Sequence, residues 1–157
     1  MIVCGIDSSS RYTAIAWFED GELVDYELID LHYVKDSEER IAEMIEQIYA
    51  TLDEIVPDYI YQETTWISQN PKTAIQLTTI VGAVRGWCTY NHTEWNGISP
   101  SQWRGILGLT KYKGERKKLK ELSVAFVKDK FNIEAETDDV ADAICIGLAG
   151  CKNEVAE

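Results

Sequence analysis

The chain has 157 residues, 45% of them hydrophobic and 27% charged, which suits a single domain (residues 1–157) with a real core and speaks against disorder or a fibre. A net charge of −12 argues against a generic nucleic-acid binder. Cys4, Cys88, Cys145 and Cys151 have no metal-binding or C-x-x-C spacing, the start "MIVCGIDSSS" lacks a basic leader segment, and no apolar run reaches membrane-spanning length. We therefore expect reduced, buried thiols in a cytoplasmic protein without a membrane partner.

"MIVCGID" predicts a buried strand, apolar on both faces and ending in Asp7. "RYTAIAWFED" and "ELVDYELIDL" flank Asp20-Gly21, and a two-residue Asp-Gly link is a strong hairpin signal. From Asp36 the period changes: Ile41, Met44, Ile45, Ile48, Leu52 and Ile55 mark one helical face, with Asp36 and Glu39 at capping-box spacing and Pro57 as the stop. "DYIYQE" predicts a fourth strand ending in Glu63. Pro71 opens a helix to about Tyr90, whose Gly82, Ala83 and Gly86 would let a neighbour approach closely. "TEWNGI" is a fifth strand. Ser99-Pro100 opens a short helix closed by Gly108, a basic loop leads into a helix carrying Leu119, Leu122, Phe126 and Phe131, and Thr137 caps the last helix. The order β-β-β-α-β-α-β-α-α-α predicts an α/β domain with a mixed five-stranded sheet flanked by helices.

The acids are oddly placed. Asp7 and Glu63 each end an apolar strand, and ends of strands are where open α/β sheets build sites. In "TDDVADAICIGLAG", Asp139 and Asp142 lie three apart on one helical face, and Asp142 sits within an apolar run. Each has an ordinary reading: a turn residue for Asp7, an exposed strand-end acid for Glu63, a dipole-complementing residue for Asp138 or Asp139, and a satisfied core acid for Asp142. Together they point elsewhere. Two carboxylates about 4 Å apart repel by roughly 4 kcal/mol at an effective dielectric of 20, so a converging set calls for protons or a divalent cation. Hard oxygen ligands suit Mg²⁺ or Mn²⁺, and four carboxylates could hold two ions about 4 Å apart, an arrangement that cleaves phosphodiesters. Seven of the 15 basic residues fall in "RGILGLTKYKGERKKLK", among them Arg104, Lys111, Lys113, Arg116, Lys117 and Lys118, with Glu115 the only acid. That stripe is either a solvated helix face or a local grip on a phosphate backbone.

These blocks, "GIDSSSRYTAIAWFEDGELV", "YQETTW", "LTTIVGAVRGWCTYN", "ISPSQWRGILG" and "TDDVADAICIGLA", resemble in order those of RuvC-type Holliday junction resolvases, from Met1 to about Cys151. The resemblance implies a ribonuclease H-like fold and a homodimer that nicks opposing strands of a four-way or branched DNA junction with Mg²⁺ or Mn²⁺. It implies Asp7, Glu63, Asp139 and Asp142 as catalytic metal ligands and leaves Asp138 structural. It assigns phosphate contacts to Arg104, where the family typically has lysine, and to Arg116 or Lys117. Trp66, three residues beyond Glu63, takes the place of an aromatic that wedges into the junction, and a base stacked on it is worth about 1–3 kcal/mol. The chain departs from the family in reading Asp7-Ser8-Ser9 where Asp-Pro-Gly is usual, and such divergence suits a bacteriophage version. A sugar-kinase-like ATPase also opens on a "GID" strand, but it needs a second phosphate motif that this chain lacks. A ribonuclease H-like nuclease acting on flaps or RNA–DNA hybrids would keep the same carboxylates, and a non-catalytic DNA-structure binder would not need all four.

Overall fold

A computed structural model describes residues 1–64, 70–112 and 114–156. Its elements are β1 (Ile2–Ser8), β2 (Tyr12–Glu19), β3 (Glu22–Asp30), α1 (Ser37–Ile55), β4 (Tyr59–Glu63), α2 (Pro71–Asn91), β5 (Glu94–Ile98), α3 (Pro100–Leu107), α4 (Arg116–Phe131) and α5 (Asp138–Ala156). The order is the expected one. Strands run β3-β2-β1-β4-β5 across the sheet, antiparallel from β3 to β1 and parallel from β1 to β5.

Local chemistry sets the boundaries. Asp20 and Gly21 turn the hairpin with φ of 49° and 86°, the left-handed values a tight Asp-Gly turn requires. Asp36 caps α1 by accepting from the Glu39 amide, and Ser99 and Gln102 form a reciprocal capping box on α3. The Thr137 hydroxyl accepts from the Val140 amide at the start of α5. α1 ends at Ile55, and its cap Val56 adopts the left-handed conformation (φ 51°) and donates to the Leu52 carbonyl, directly before the expected stop at Pro57.

The sheet separates two apolar layers. On one face Cys4, Ile6, Ile15 and Ile60 pack against Ile41, Met44, Ile48 and Leu52 of α1 and Ile80, Val84 and Trp87 of α2. On the other, Val3, Ala14, Phe18 and Tyr61 meet α5, with Trp103 of α3 and Val127 of α4 alongside. The four cysteines are free and buried in these layers. No helix among the described residues is long and apolar enough to cross a membrane.

The packing of α5 is unusually close. A Cβ on Gly5 would lie 2.2 Å from the Gly147 backbone nitrogen and 2.3 Å from the Ala143 carbonyl oxygen, so bare backbone of β1 touches bare backbone of α5. One turn on, Gly150 meets the ring of Tyr61 on β4 in the same way. Glycines at these places fix the depth and register of α5 on the sheet. Among the described residues nothing lies within 4 Å of a Cβ at Gly82 or Gly86, so the space expected for a close neighbour there is open.

Candidate active site

Side chains alternate along a strand, so Val3, Gly5 and Asp7 share one face of β1, as Tyr59, Tyr61 and Glu63 do on β4. Gly5 and Tyr61 mark that face as the one under α5. β1 and β4 are parallel with Ile6 beside Gln62, which sets Asp7 next to Glu63 at one end of the sheet. α5 runs back antiparallel to β1. From Gly147 to Asp142 it rises about 7.5 Å, and β1 rises about 6.6 Å from Gly5 to Asp7. The backbone contact at Gly147 therefore brings Asp142 and Asp139 over the same strand ends.

All four acids line one cavity of about 640 Å³, together with Asp138, Arg104, Arg116 and Lys120. Burial holds the Asp7 carboxyl well above the usual range, and the charges of Glu63, Asp142, Asp139 and Asp138 add to it. Burial also raises Glu63, against the pull of the Trp103 indole, Arg104 and Arg116. Asp139 is raised by burial and Asp138, opposed by Lys120 and a hydrogen bond with Asp7. Asp142, only 6% exposed, is pushed up to about 7 by burial, with Glu63 adding and the Ser123 hydroxyl and Arg104 opposing. These shifts share one cause. Negative charge is gathered out of water beyond what nearby cations neutralise.

A divalent cation would relieve this, and the donor chemistry fits one. All four acids offer hard oxygens to one space, and the buried Oδ1 of Asp142 has no hydrogen-bond partner among the described residues. Among the described residues no three acid, histidine or cysteine side chains are drawn together tightly enough to hold an ion as they stand, and Asp7 and Asp139 bond each other instead.

Other residues hold the acids in place. The Trp103 indole, fully buried, donates to Glu63 Oε2 at 2.7 Å. Buried Gln62 donates to Ser8 Oγ at 3.1 Å and accepts from the Trp95 indole at 3.0 Å. Ser9 Oγ accepts from the Arg11 and Tyr12 amides and donates to the Tyr12 carbonyl. Ser8 and Ser9 thus build the turn behind Asp7 by hydrogen bonding, without proline or glycine. Nothing in the sequence pattern singles out Trp103, Ser123 or Gln62.

The basic stripe divides. Arg104 reaches Asp142 Oδ2 at 3.8 Å and lies 4.2 Å over the Trp103 ring, and its buried Nε has no partner among the described residues. Arg116 lines the acid cavity; Lys117 lines the adjoining groove along α4 instead. Lys120 also lines the cavity and pairs with Asp138, which lines it too. Lys111 and Lys118 are exposed, beside Tyr112 and away from the cavity wall, and Lys118 pairs with Glu115. Trp66 and Lys113 lie outside the described residues.

The family model for crossover junction endodeoxyribonuclease RuvC matches residues 3–150. The chain belongs to the RuvC family. It is thus an endodeoxyribonuclease of the crossover-junction class, a hydrolase of DNA phosphodiester bonds. Among solved structures it is similar to Thermus thermophilus RuvC, at 16% identity and a TM-score of 0.78 over 99% of this chain and 97% of that one. The T. thermophilus RuvC in complex with Holliday junction substrate is similar at 15% identity, with a TM-score of 0.76 over 99% and 96% of the two chains. The yeast mitochondrial Holliday junction resolvase Ydc2 follows at 14% identity and 0.62, over 98% and 78%. These likenesses carry the ribonuclease H-like fold. No curated protein sequence matches the chain significantly.

Proposed function

We propose that this protein resolves four-way DNA junctions at the cavity walled by Asp7, Glu63, Asp139 and Asp142, working as a homodimer. The observation that carries the reading is the meeting of four acids from β1, β4 and α5 in one cavity beside Arg104, Arg116 and Lys120. The four carboxylates would hold Mg²⁺ or Mn²⁺, which supplies an activated water and neutralises charge on the phosphate and the departing 3′-oxygen. The chain's own residues do the rest. Arg104 and Arg116 receive the scissile phosphate and offset its developing charge. Trp103 holds the Glu63 carboxylate to one orientation, and the Ser8–Gln62 and Ser9 hydrogen bonds do the same for the turn behind Asp7. Trp66 is assigned to stacking at the junction centre, and Lys111, Lys113, Lys117 and Lys118 to the flanking arms.

The open face of α2 supports the dimer. Ile75 and Tyr90, 67% and 85% exposed, flank Thr79, Gly82 and Gly86 on one helical stripe, and the two glycines leave room for a second backbone. A two-fold dimer presents two equivalent sites to an approximately two-fold junction.

Cleavage of a fixed four-way junction, a linear duplex, a flap and an RNA–DNA hybrid, each with Mn²⁺ or Mg²⁺, tests this. Paired, symmetric nicks confined to the junction are expected. Preferred cleavage of the flap or the hybrid would keep the site and replace the substrate.

A further inference from the structure

A second cavity, of about 570 Å³, opens beside the first and shares Ser8, Ser9, Thr73 and Leu77 with it. Its walls come from the β1–β2 loop, the segment leading into α1, and the first turns of α2. Arg11, Lys35, Arg40 and Lys72 line it with Ser10, Ser37, Asn70 and Gln76, and no acid is in the lining among the described residues. In a protein of net charge −12 such a collection is out of keeping with its surroundings. The acids of the first turn of α1, Glu38 and Glu39, are exposed and stay out of it.

Arg40 is the second, independent sign. It is 6% exposed, yet it has no carboxylate partner among the described residues. Its Nε donates to the Ser10 carbonyl at 3.1 Å, Nη1 to the Val34 carbonyl at 2.8 Å and that of Lys35 at 3.5 Å, and Nη2 to Ser10 Oγ at 3.4 Å. These bonds satisfy donors and orient the guanidinium, but none cancels its charge. A buried cation is normally matched by an anion, and a planar guanidinium suits a phosphate. Lys35, Lys72 and Arg11 add exposed positive charge around it from three separate segments.

We infer that this cavity is a second phosphate site, which takes backbone phosphodiesters of the same DNA whose scissile phosphate lies in the acid cavity. The inference rests on the nuclease reading and extends it. The acid cavity repels DNA until its cations are in place. A neighbouring acid-free cavity holds the strand there and fixes which phosphate reaches the carboxylates. The residues responsible lie outside the Arg104–Lys120 stripe.

The test is junction affinity against salt, by fluorescence anisotropy, for the parent protein and for Lys35→Gln/Lys72→Gln. Both lysines are exposed, so folding is preserved. Lys130→Gln/Lys152→Gln is the control, removing equal charge from exposed lysines that line neither cavity. Each lost phosphate contact lowers the slope of log K on log salt by about 0.9, so a reduction of about 1.8 is expected, with binding weakened roughly ten-fold near 0.1 M salt. The control should keep the parent slope. Equal slopes in both double variants would overturn the inference while leaving the nuclease reading intact. Failure of the parent to bind any branched DNA would bring both down. Inorganic phosphate separates the remaining source: a lysine-dependent rise in unfolding midpoint with phosphate, without a change in DNA slope, would make this a free-phosphate site and also overturn it.

Discussion

Without metal, Asp142→Asn should be more stable than the parent protein at pH 8 by about 1–3 kcal/mol, and should lose junction cleavage by at least about a thousand-fold. The stability gain comes from linkage. The Asp142 carboxyl is raised from 3.8 to about 7 in the fold, so the folded protein binds a proton there more tightly than the unfolded chain does. Stability from this group is therefore greatest below about pH 4 and falls as pH rises through about 7. The shift corresponds to about 4 kcal/mol as a ceiling at 1.36 kcal/mol per unit. The amide removes the cost of the charge but forfeits the attraction of Arg104, which brings the expected gain below that ceiling. Thermal unfolding across pH 4–8 checks the sign: the parent should lose stability toward pH 8, and the variant should lose less. The cleavage loss has another origin. A cation at the site is worth several kcal/mol of transition-state stabilisation, and removing one of its ligands forfeits about 4 kcal/mol or more. If the variant were less stable than the parent at pH 8, Asp142 would be a core acid kept for its own hydrogen bonding.

The second large effect concerns the fold that builds the site. Gly5→Ala should destabilise the protein by about 3 kcal/mol or more, at the top of the range for overpacked cores. The added methyl carbon would stand 2.2 and 2.3 Å from backbone atoms of Gly147 and Ala143. Flexible side-chain ends can move aside; a helix backbone buried from Val140 to Cys151 cannot. Relief comes only if α5 lifts from β1, and α5 carries Asp139 and Asp142. The variant should therefore lose both melting temperature and cleavage, whereas Gly105→Ala, in open space on α3, should melt at least as high as the parent. Paired thermal melts decide it. Equal melting of Gly5→Ala and the parent would mean that α5 is not seated backbone to backbone against β1.

Much of this architecture was legible in the sequence because its boundaries carry their own chemistry. Asp20-Gly21, Asp36, Ser99 and Thr137 announce a turn and three helix starts, and each does so through its own side chain or backbone. The acids were legible because a carboxylate at the end of an apolar strand or inside an apolar helix has a cost that invites a reason. Their meeting was a matter of topology, decided by β4 lying parallel beside β1 and by α5 returning across both. Less local facts were hidden. Trp103 looks like an ordinary core aromatic until α3 turns its indole onto Glu63. Arg116 and Lys117 are adjacent in sequence, and only the phase of α4 puts the first on the acid cavity. Gly5, Gly147 and Gly150 carry no signal of the backbone contacts they permit. Arg11, Lys35, Arg40 and Lys72 are scattered over three segments, and nothing local links them.

Whether the four acids form a metal site is read from the unfolding midpoint during an Mn²⁺ titration of the parent protein beside Asp142→Asn. An ion held only by the folded state adds about 2.7 kcal/mol of stability at a hundred times its dissociation constant. The parent midpoint should rise from its lower metal-free value and overtake that of the variant, which should stay nearly flat. Parallel responses of the two proteins, or none in either, would mean that the four acids do not hold an ion through Asp142.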